Sequence, residues 1–548
     1  MPSRDVVPNP EAPSEEPHEP AVPGGGRRGV AANTAIFSIA TGASRVVGLG
    51  REILASSYFA TSGAFSAFTI AFQLPNLLRT LVADQAVSAA FVPVFTDLLE
   101  ARRRRDALEL ASTLFFVILF GLGALTALFI VLAPQLMPLL TGDRFSGELD
   151  TLTAGLSQLL FPVVVLLGLN GLTLGVLYAY DDFTLGAIGP LVWNVVIIVV
   201  LVAARPAFDG DDELYAYALG VLAGTLAQFA ITLPRLFRRG FRFTRSLALR
   251  MPELRSVLKL MLPVCISLGL INFSLLINSS LGSLVSEEAP RAIDAAFRIY
   301  QLPQGVFSIA LATVLFPTLA RFASRDDMPG LRHASANGAR QIYLLLIPAA
   351  VLSAVLAEPI TRLIFEHGEF KADSTDQVSE ALVWFSLALP LNGVNLLYAR
   401  TFFAFQRPWL PTAMAGLNVA VNVAVSAALY GSYGIPGIVI GTLAGNVVMT
   451  AGQLVYLRRE LDGVEGRQTA VAVAQMLLAA GVLGGAAYGV FTGLDEVLGR
   501  SILGQTAAVG TACAVGIAAY AALVALLNID EGRQLWRLVG RARARRAG

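Results

Sequence analysis

The segment "SAFTIAFQLPNLLRTLVADQAVSAAFVPVFTDL", residues 66–98, is long and apolar, and it recurs in altered form later in the chain. Residues 294–322, "DAAFRIYQLPQGVFSIALATVLFPTLARF", share its Gln-Leu-Pro sequence and its later Phe and Pro positions. Residues 168–183, "GLNGLTLGVLYAYDDF", likewise match residues 390–405, "PLNGVNLLYARTFFAF", through a shared Leu-Asn-Gly. The chain is therefore predicted to contain two halves related by duplication.

The composition is typical of a polytopic membrane protein. Of the 548 residues, 55% are hydrophobic and only 14% are charged, which exceeds what a soluble core can bury. The net charge of +1 gives no indication of a nucleic-acid-binding surface. Cys265 and Cys513 lie in apolar runs, and the three histidines lack the spacing of metal ligands. We therefore expect neither a disulfide framework nor a metal site.

Apolar segments of roughly 20 to 30 residues recur along the chain, and each is long enough to cross about 30 Å of hydrocarbon as a helix. We count about fourteen of them. They cover residues 31–60, 63–98, 107–137, 150–180, 184–205, 213–236, 254–283, 290–322, 331–357, 376–405, 409–430, 435–457, 468–493 and 502–528. Because a lipid-exposed backbone must satisfy its own hydrogen bonds, we predict an all-α polytopic membrane protein.

The repeat divides this helical chain into parts. We predict two duplicated six-helix lobes, residues 30–240 and 250–460, followed by two additional helices within residues 466–530. Residues 1–29 are rich in Pro, Glu and Gly, which predicts a disordered cytoplasmic tail, and residues 531–548 are predicted to form a basic cytoplasmic tail. Because each lobe has an even number of helices, both copies enter the membrane from the same side.

Loop charges orient the predicted helices. Alternate loops are rich in arginine, for example "EARRRRD" (100–106) and "YLRRELDGVEGRQ" (456–468). The loops between them, such as "FDGDDEL" (208–214) and "SEEAP" (286–290), are acidic. The positive-inside rule then predicts that the basic loops and both termini are cytoplasmic. Binding of the arginine-rich loops to anionic lipid headgroups is compatible with this orientation.

Four arginines lie inside predicted spans, where each costs about 2.5–3.5 kcal/mol near the bilayer centre if it is unpaired. They are Arg45, Arg51, Arg79 and Arg298. These side chains must face water, a partner or a cavity. The carboxylates of the same helices are fewer, namely Glu52, Asp84 and Asp294. A guanidinium group binds phosphate oxygens through two parallel hydrogen bonds, so the excess of arginine indicates an anionic substrate such as a phosphate or diphosphate.

Residue spacing predicts local partners for two of these arginines. Arg45 and Glu52 are seven positions apart and share one helix face, so we expect a structural salt bridge between them. Asp84 follows Arg79 by about one turn and is an alternative partner for that side chain.

Prolines interrupt the two repeated helices at equivalent positions, Pro75 and Pro303. Broken helices in duplicated halves are typical of alternating-access transporters, in which a cavity between the halves opens to either side. We therefore predict that these two prolines act as hinges.

Five motifs are distinctive. They are "SRVVGLGRE" (44–52), "AFQLPNLLR" (71–79), "AAFVPVF" (89–95), "FRIYQLPQGVFSIALATVLFPTLAR" (297–321) and "RLIFEHGEF" (362–370). Together they resemble the MurJ (MviN) lipid II flippase family of the multidrug/oligosaccharidyl-lipid/polysaccharide exporter superfamily. The resemblance runs in motif order from about residue 31 to residue 528.

The resemblance implies a transporter, not an enzyme, without a cofactor. Its substrate would be lipid II, the undecaprenyl-diphosphate-linked peptidoglycan precursor, moved from the inner to the outer leaflet of the bacterial cytoplasmic membrane. The last two helices would form a groove for the polyprenyl tail, and the cell-wall synthesis machinery is a candidate partner besides the membrane lipids. The resemblance implies roles in diphosphate binding or gating for Ser44, Arg45, Arg51, Arg79, Asp84 and Arg298.

The sequence departs from the family pattern at several polar positions. Ser66 stands where many members have Asp, and Thr80 replaces the second Arg of its motif. Asn418 and Asn422 lie where some members use a carboxylate in a sodium site. These departures leave ion coupling open, and they leave a paralogous flippase for another polyprenyl-linked oligosaccharide as an alternative.

Two other functional classes fit the residues less well. A drug or cation exporter of the same superfamily would need acidic rather than basic residues in its cavity, whereas arginines outnumber carboxylates in these helices. An intramembrane glycosyltransferase or lipid phosphatase would need positioned acids, or a nucleophile with a base. The nearest candidate is "YDDF" (Tyr180–Phe183), whose paired acids suit Mg²⁺, but its position in a predicted cytoplasmic turn favours a solvated loop.

Overall fold

The computed structural model describes residues 27–534 except 83, 243, 245, 246 and 408. Its description of side chains leaves out residues 27–38, 79–89, 260, 262–264, 266–268 and 270–272 as well. Almost all of the predicted N-terminal tail, and residues 535–548 of the predicted C-terminal tail, lie outside the described residues.

The described residues form helices and no strand. The helices are α1 (Arg27–Phe59), α2 (Gly63–Val82), α3 (Asp84–Glu100), α4 (Arg104–Leu140), α5 (Gly147–Leu160), α6 (Pro162–Ala179), α7 (Thr184–Ala204), α8 (Glu213–Ala230), α9 (Thr232–Arg238), α10 (Pro252–Gly282), α11 (Ala289–Pro303), α12 (Ile309–Ser324), α13 (Met328–Val355), α14 (Ala357–Phe365), α15 (Ala372–Ala404), α16 (Trp409–Glu460), α17 (Gly466–Leu498) and α18 (Ile502–Leu526). Short 3₁₀ segments occupy Arg205–Ala207 and Gly210–Asp212.

Ten helical segments within the described part are long and apolar enough to cross a membrane. Two shorter apolar helices, Gly63–Leu78 and Phe273–Gly282, accompany them. The prediction of an all-α polytopic membrane protein is therefore confirmed, whereas the count of fourteen spans stays a prediction.

Several predicted spans are helices with a defined interruption. Residues 150–180 form α5 and α6, and Pro162 begins the second of these helices because its missing N–H is not needed there. Residues 290–322 contain a π-helical turn, Gln304–Ser308, directly after Pro303. Within α16, Gly434 has φ +60° and ψ −134°, so two helices meet at the break that the sequence predicted.

Buried apolar side chains form separate cores along the chain. Two cores use residues between Ala55 and Met261, and a third uses residues between Ala289 and Leu461. Two smaller cores pack α17 and α18 against α13 and α14. The start of α10 packs Leu254 and Val257 into a core of the first half, although residue 250 begins the predicted second lobe. The lobe boundaries themselves stay a prediction.

The first residues of the predicted C-terminal tail are tied to the helix bundle. Glu531 is buried, and its carboxylate lies 2.5 Å from Nε of Arg340 on α13. The same guanidinium contacts Glu465, immediately before α17, at 3.0 Å. Because both carboxylates share one buried arginine, the two ends of the α17–α18 pair are fixed to α13.

Candidate functional site

Charged side chains from α1 and α11 meet in the interior of the protein. Arg298 donates from Nε to Asp294 at 2.8 Å and lies 3.1 Å from Glu52 through Nη1. Arg291 contacts the same two carboxylates, Asp294 at 2.8 Å and Glu52 at 3.4 Å. Arg51 bonds to the neighbouring Glu52. We call these five residues the interior charge network.

The interior charge network carries three guanidinium groups and two carboxylates, a net charge of +1. Arg291 is 1% exposed, and its guanidinium lies 4.0 Å from the ring centre of Phe65. Arg51 is 7% exposed and lies 4.8 Å from the ring centre of Trp193. These aromatic faces compensate part of the lost hydration of the two buried arginines. Arg298 differs from them, because 34% of its side chain is exposed.

Arg298 borders a small cavity of about 10 Å³, roughly the space of one water molecule. Thr69, Gln73 and Tyr217 line the same cavity. Oε1 of Gln73 is buried and accepts no hydrogen bond within the described part of the chain. The positive charge of Arg298 attracts an anionic group, whereas the unpaired oxygen of Gln73 requires a hydrogen-bond donor.

Hydrogen bonds beside the network join the two halves of the chain. Arg291 donates to Ser56 Oγ at 2.8 Å, and its backbone N–H donates to Ser66 Oγ at 3.2 Å. The hydroxyls of Thr61 and Ser374 lie 2.7 Å apart. These contacts close one end of the interior, the end where the loops predicted to be acidic and external meet.

A backbone contact at this end depends on glycine. The N–H of Glu369 donates to the carbonyl of Ser57 at 2.9 Å. The preceding Gly368 has φ +63°, and a Cβ on it would lie 2.3 Å from the same carbonyl oxygen. Only glycine fits this close approach, which explains its place in the "RLIFEHGEF" motif.

The predicted Arg45–Glu52 salt bridge is not formed, and that expectation is wrong. Arg45 is exposed and forms no ion pair with any described residue. Seven residues separate the two side chains by about 10 Å along the helix axis. Three arginines closer to Glu52 occupy its carboxylate instead. Arg45 lies beside the π-helical turn of the second half, where a Cβ on Gly305 would be 3.5 Å from its guanidinium.

The other predicted site residues are placed as follows. Ser44 is buried, with Oγ 3.5 Å from Nδ2 of Asn194. Pro75 lies inside the continuous helix α2, whereas Pro303 directly precedes the π-helical turn. The side chains of Arg79, Thr80 and Asp84 lie outside the described residues, so an Arg79–Asp84 pair stays a prediction.

The sequence did not single out Arg291 as a site residue. It directly follows the acidic "SEEAP" loop, so its side chain has the pattern of a charged residue in a solvent-exposed loop. The structure begins α11 at Ala289 and buries Arg291 in its first turn. The available signal was the spacing of Arg291, Asp294 and Arg298, because positions i, i+3 and i+7 share one helix face.

Asn422, one of the positions where the sequence departs from the family pattern, forms hydrogen bonds with neutral side chains. Its amide donates to Asn278 Oδ1 at 3.1 Å, and its own Oδ1 accepts from Ser426 at 3.0 Å. Asn278 in turn donates to Thr442 at 3.1 Å. These four side chains satisfy one another without a carboxylate.

The acids of the "YDDF" turn also have a structural explanation. Asp182 is buried and accepts from Arg235 at 2.8 Å and from Arg239 at 3.3 Å. Burial alone raises the pKa of this carboxyl, but the hydrogen bonds and charges of the two arginines outweigh it and hold the pKa below its usual value. Asp182 therefore ties the α6–α7 turn to α9, and its oxygens are engaged by arginine.

We expect an Asp182→Asn variant to be less stable at pH 7 by about 2 kcal/mol, because it loses two charge-assisted hydrogen bonds. The folded-state pKa lies below the unfolded value of about 3.9, so this stability is present above that pH and is lost as pH falls through the folded-state pKa. Thermal unfolding of the purified protein between pH 7 and pH 3 measures the difference. Asp181→Asn, at an exposed position of the same turn, is the control, and an equal effect of both variants at pH 7 would contradict the expectation.

Comparison with known proteins relates the chain to one family of lipid flippases. The family model described as "Lipid II flippase MurJ" matches residues 55–506. A probable lipid II flippase MurJ from Rhizobium meliloti (strain 1021) is 33% identical over 404 residues, which cover 73% of this chain and 75% of the relative. The lipid II flippase MurJ of Burkholderia cenocepacia is 30% identical over 377 residues, which cover 68% of this chain and 73% of the relative.

Solved structures share the fold. A lipid II flippase MurJ in an inward closed conformation superimposes with a TM-score of 0.75 at 20% identity, covering 90% of this chain and 98% of that chain. An inward-facing multidrug resistance MATE family transporter of the MOP superfamily gives a TM-score of 0.62 at 16% identity, covering 79% and 95%. Both solved structures therefore share the helical fold of this chain.

Proposed function

Since the chain belongs to the lipid II flippase MurJ family, we propose that it transports lipid II from the inner to the outer leaflet of the bacterial cytoplasmic membrane by alternating access. In this proposal it is a transporter and not an enzyme, with both termini in the cytoplasm. The interior charge network carries the argument, because three arginines face two carboxylates between the halves of the chain.

The diphosphate of lipid II binds at Arg298 and Arg45 in this proposal. Both side chains are accessible, and Arg45 has no ion pair among the described residues. Arg51 contributes positive charge from a buried position. Ser44 supports the backbone next to Arg45. Arg79 and Asp84 complete the proposed site on the grounds of the family resemblance alone.

Substrate binding and gating compete for the same arginine. Arg298 holds Glu52 of α1 and Asp294 of α11 while the adjacent end of the interior is closed. A diphosphate at Arg298 draws its guanidinium away from these carboxylates and weakens the ion pairs that join the two halves. Opening then follows by rotation of the halves, with hinges at Pro75 and Pro303.

The lipid tail stays in the membrane while the headgroup crosses. The α17–α18 pair packs on α13 and α14, and we propose that its surface guides the polyprenyl chain. Membrane lipids contact the exposed apolar faces, and the cell-wall synthesis machinery is the proposed source of protein partners.

Depletion tests the function in cells where this protein is the only flippase of its kind. After depletion, newly made lipid II is expected to accumulate and to resist an externally added toxin that cleaves lipid II. Restoring the protein is expected to restore cleavage. If cleavage continues unchanged after depletion, lipid II is not the substrate, and another polyprenyl-linked oligosaccharide becomes the candidate.

A further inference from the structure

A second and larger cavity lies within the first half of the chain. Its volume is about 180 Å³, and its walls come from α2, α6, α7 and α8. Complete small-molecule sites typically enclose about 300–1,000 Å³, so this smaller space suits only one part of a large substrate. Three carboxamide side chains line it, Asn76, Asn194 and Gln228, and we call it the carboxamide pocket.

Two of these carboxamides keep unused hydrogen-bonding capacity. Asn194 is 6% exposed and donates to the carbonyl of Pro190 at 2.9 Å, but its Oδ1 accepts no hydrogen bond from a described residue. Gln228 forms no hydrogen bond with any described residue. Its side chain packs on Gly189, where a Cβ would lie 3.1 Å from Cγ of Gln228. A buried acceptor without a partner is costly unless a ligand satisfies it.

The other described walls of the carboxamide pocket are aromatic and apolar, and no charged side chain among the described residues lines the pocket. Trp193 lies in one wall and stacks against the guanidinium of Arg51. Phe72 lines both this pocket and the cavity beside Arg298. The carboxamide pocket therefore adjoins the interior charge network and differs from it because its described lining is neutral.

We propose that the carboxamide pocket binds the sugar that is attached to the diphosphate of the lipid-linked substrate, a conclusion that rests on the proposed function. Sugar hydroxyl and acetamido groups are neutral donors and acceptors, which match carboxamides. The apolar C–H face of a sugar ring packs on aromatic side chains such as Trp193 and Phe72. Peptide carboxylates would find no countercharge among the described side chains that line the pocket, and a polyprenyl chain would leave Asn194 Oδ1 unsatisfied.

Equilibrium binding to the purified full chain tests this proposal. The probes are undecaprenyl diphosphate, which has no sugar, the same lipid carrying the disaccharide without peptide, and lipid II. A Gln228→Met variant keeps the side-chain volume and breaks no described hydrogen bond. We expect its Kd for both sugar-bearing lipids to rise roughly three- to tenfold, because the variant loses one neutral hydrogen bond to the sugar. Its Kd for undecaprenyl diphosphate is expected to stay within about twofold.

Two further variants keep the outcome interpretable. Leu167→Phe, which fills the pocket, is expected to weaken the binding of both sugar-bearing lipids but not that of undecaprenyl diphosphate. Gln135→Met, at an exposed position of α4, is expected to change no Kd. The sugar assignment would be overturned if Gln228→Met weakened the binding of all three lipids equally. It would also be overturned if the variant weakened only the binding of lipid II, which carries the peptide. A wild-type protein that binds none of the lipids would instead contradict the proposed function.

Discussion

A Glu52→Gln variant is expected to lose about 3–5 kcal/mol of unfolding free energy, because a buried ion-pair network loses its shared partner. Glu52 contacts Arg51, Arg291 and Arg298, and only Asp294 would remain to compensate them. Arg51 is 7% exposed and has no other carboxylate partner among the described residues. Titration of the purified protein in mixed micelles with SDS, followed by tryptophan fluorescence, measures the change.

Glu358→Gln is the matched control for this experiment. Its carboxylate is 52% exposed and pairs with Arg362 one turn later, so its removal is expected to cost about 0.5 kcal/mol or less. An Arg51→Met/Glu52→Gln double variant returns the network to a net charge of +1 and is expected to recover part of the loss. Equal stability of Glu52→Gln and the wild-type protein would show that the network does not hold the two halves together.

The fold was predictable because its signals are periodic and repeated. Apolar length identifies membrane helices whatever their packing, and the shared Gln-Leu-Pro and Leu-Asn-Gly sequences predict a duplication. The break near Gly434 was predictable from composition as well. The π-helical turn after Pro303 was not, because proline indicates an interruption without determining how the neighbouring turns rearrange.

The site was predictable in its charge but not in its pairing. Arginines in apolar helices indicate an interior cluster of charges whatever their exact contacts, and an anion site there stays a proposal. The partners depend on how α1 and α11 approach each other, and spacing along one helix gives no information on that. For this reason Glu52 was paired with Arg45, and Arg291, 239 residues away in the chain, was missed.

An Arg45→Ala variant is expected to transport at least tenfold more slowly than the wild-type protein while keeping its stability. A charge-assisted hydrogen bond to phosphate contributes about 1.5–3 kcal/mol, which corresponds to a change in binding of roughly 10- to 150-fold. Because Arg45 is exposed and has no ion pair among the described residues, its removal leaves no buried charge unpaired. Toxin cleavage of lipid II in cells that depend on the variant measures transport, and SDS titration measures stability.

Arg45→Lys separates charge from geometry in the same assay. Lysine keeps the positive charge but lacks the planar fork that binds two phosphate oxygens. We therefore expect a transport rate between the rates of Arg45→Ala and the wild-type protein. Arg144→Ala, in the exposed loop before α5, is the control and is expected to transport normally. If Arg45→Ala transports as well as this control, the diphosphate does not bind at Arg45, and Arg298 becomes the accessible arginine that must account for it.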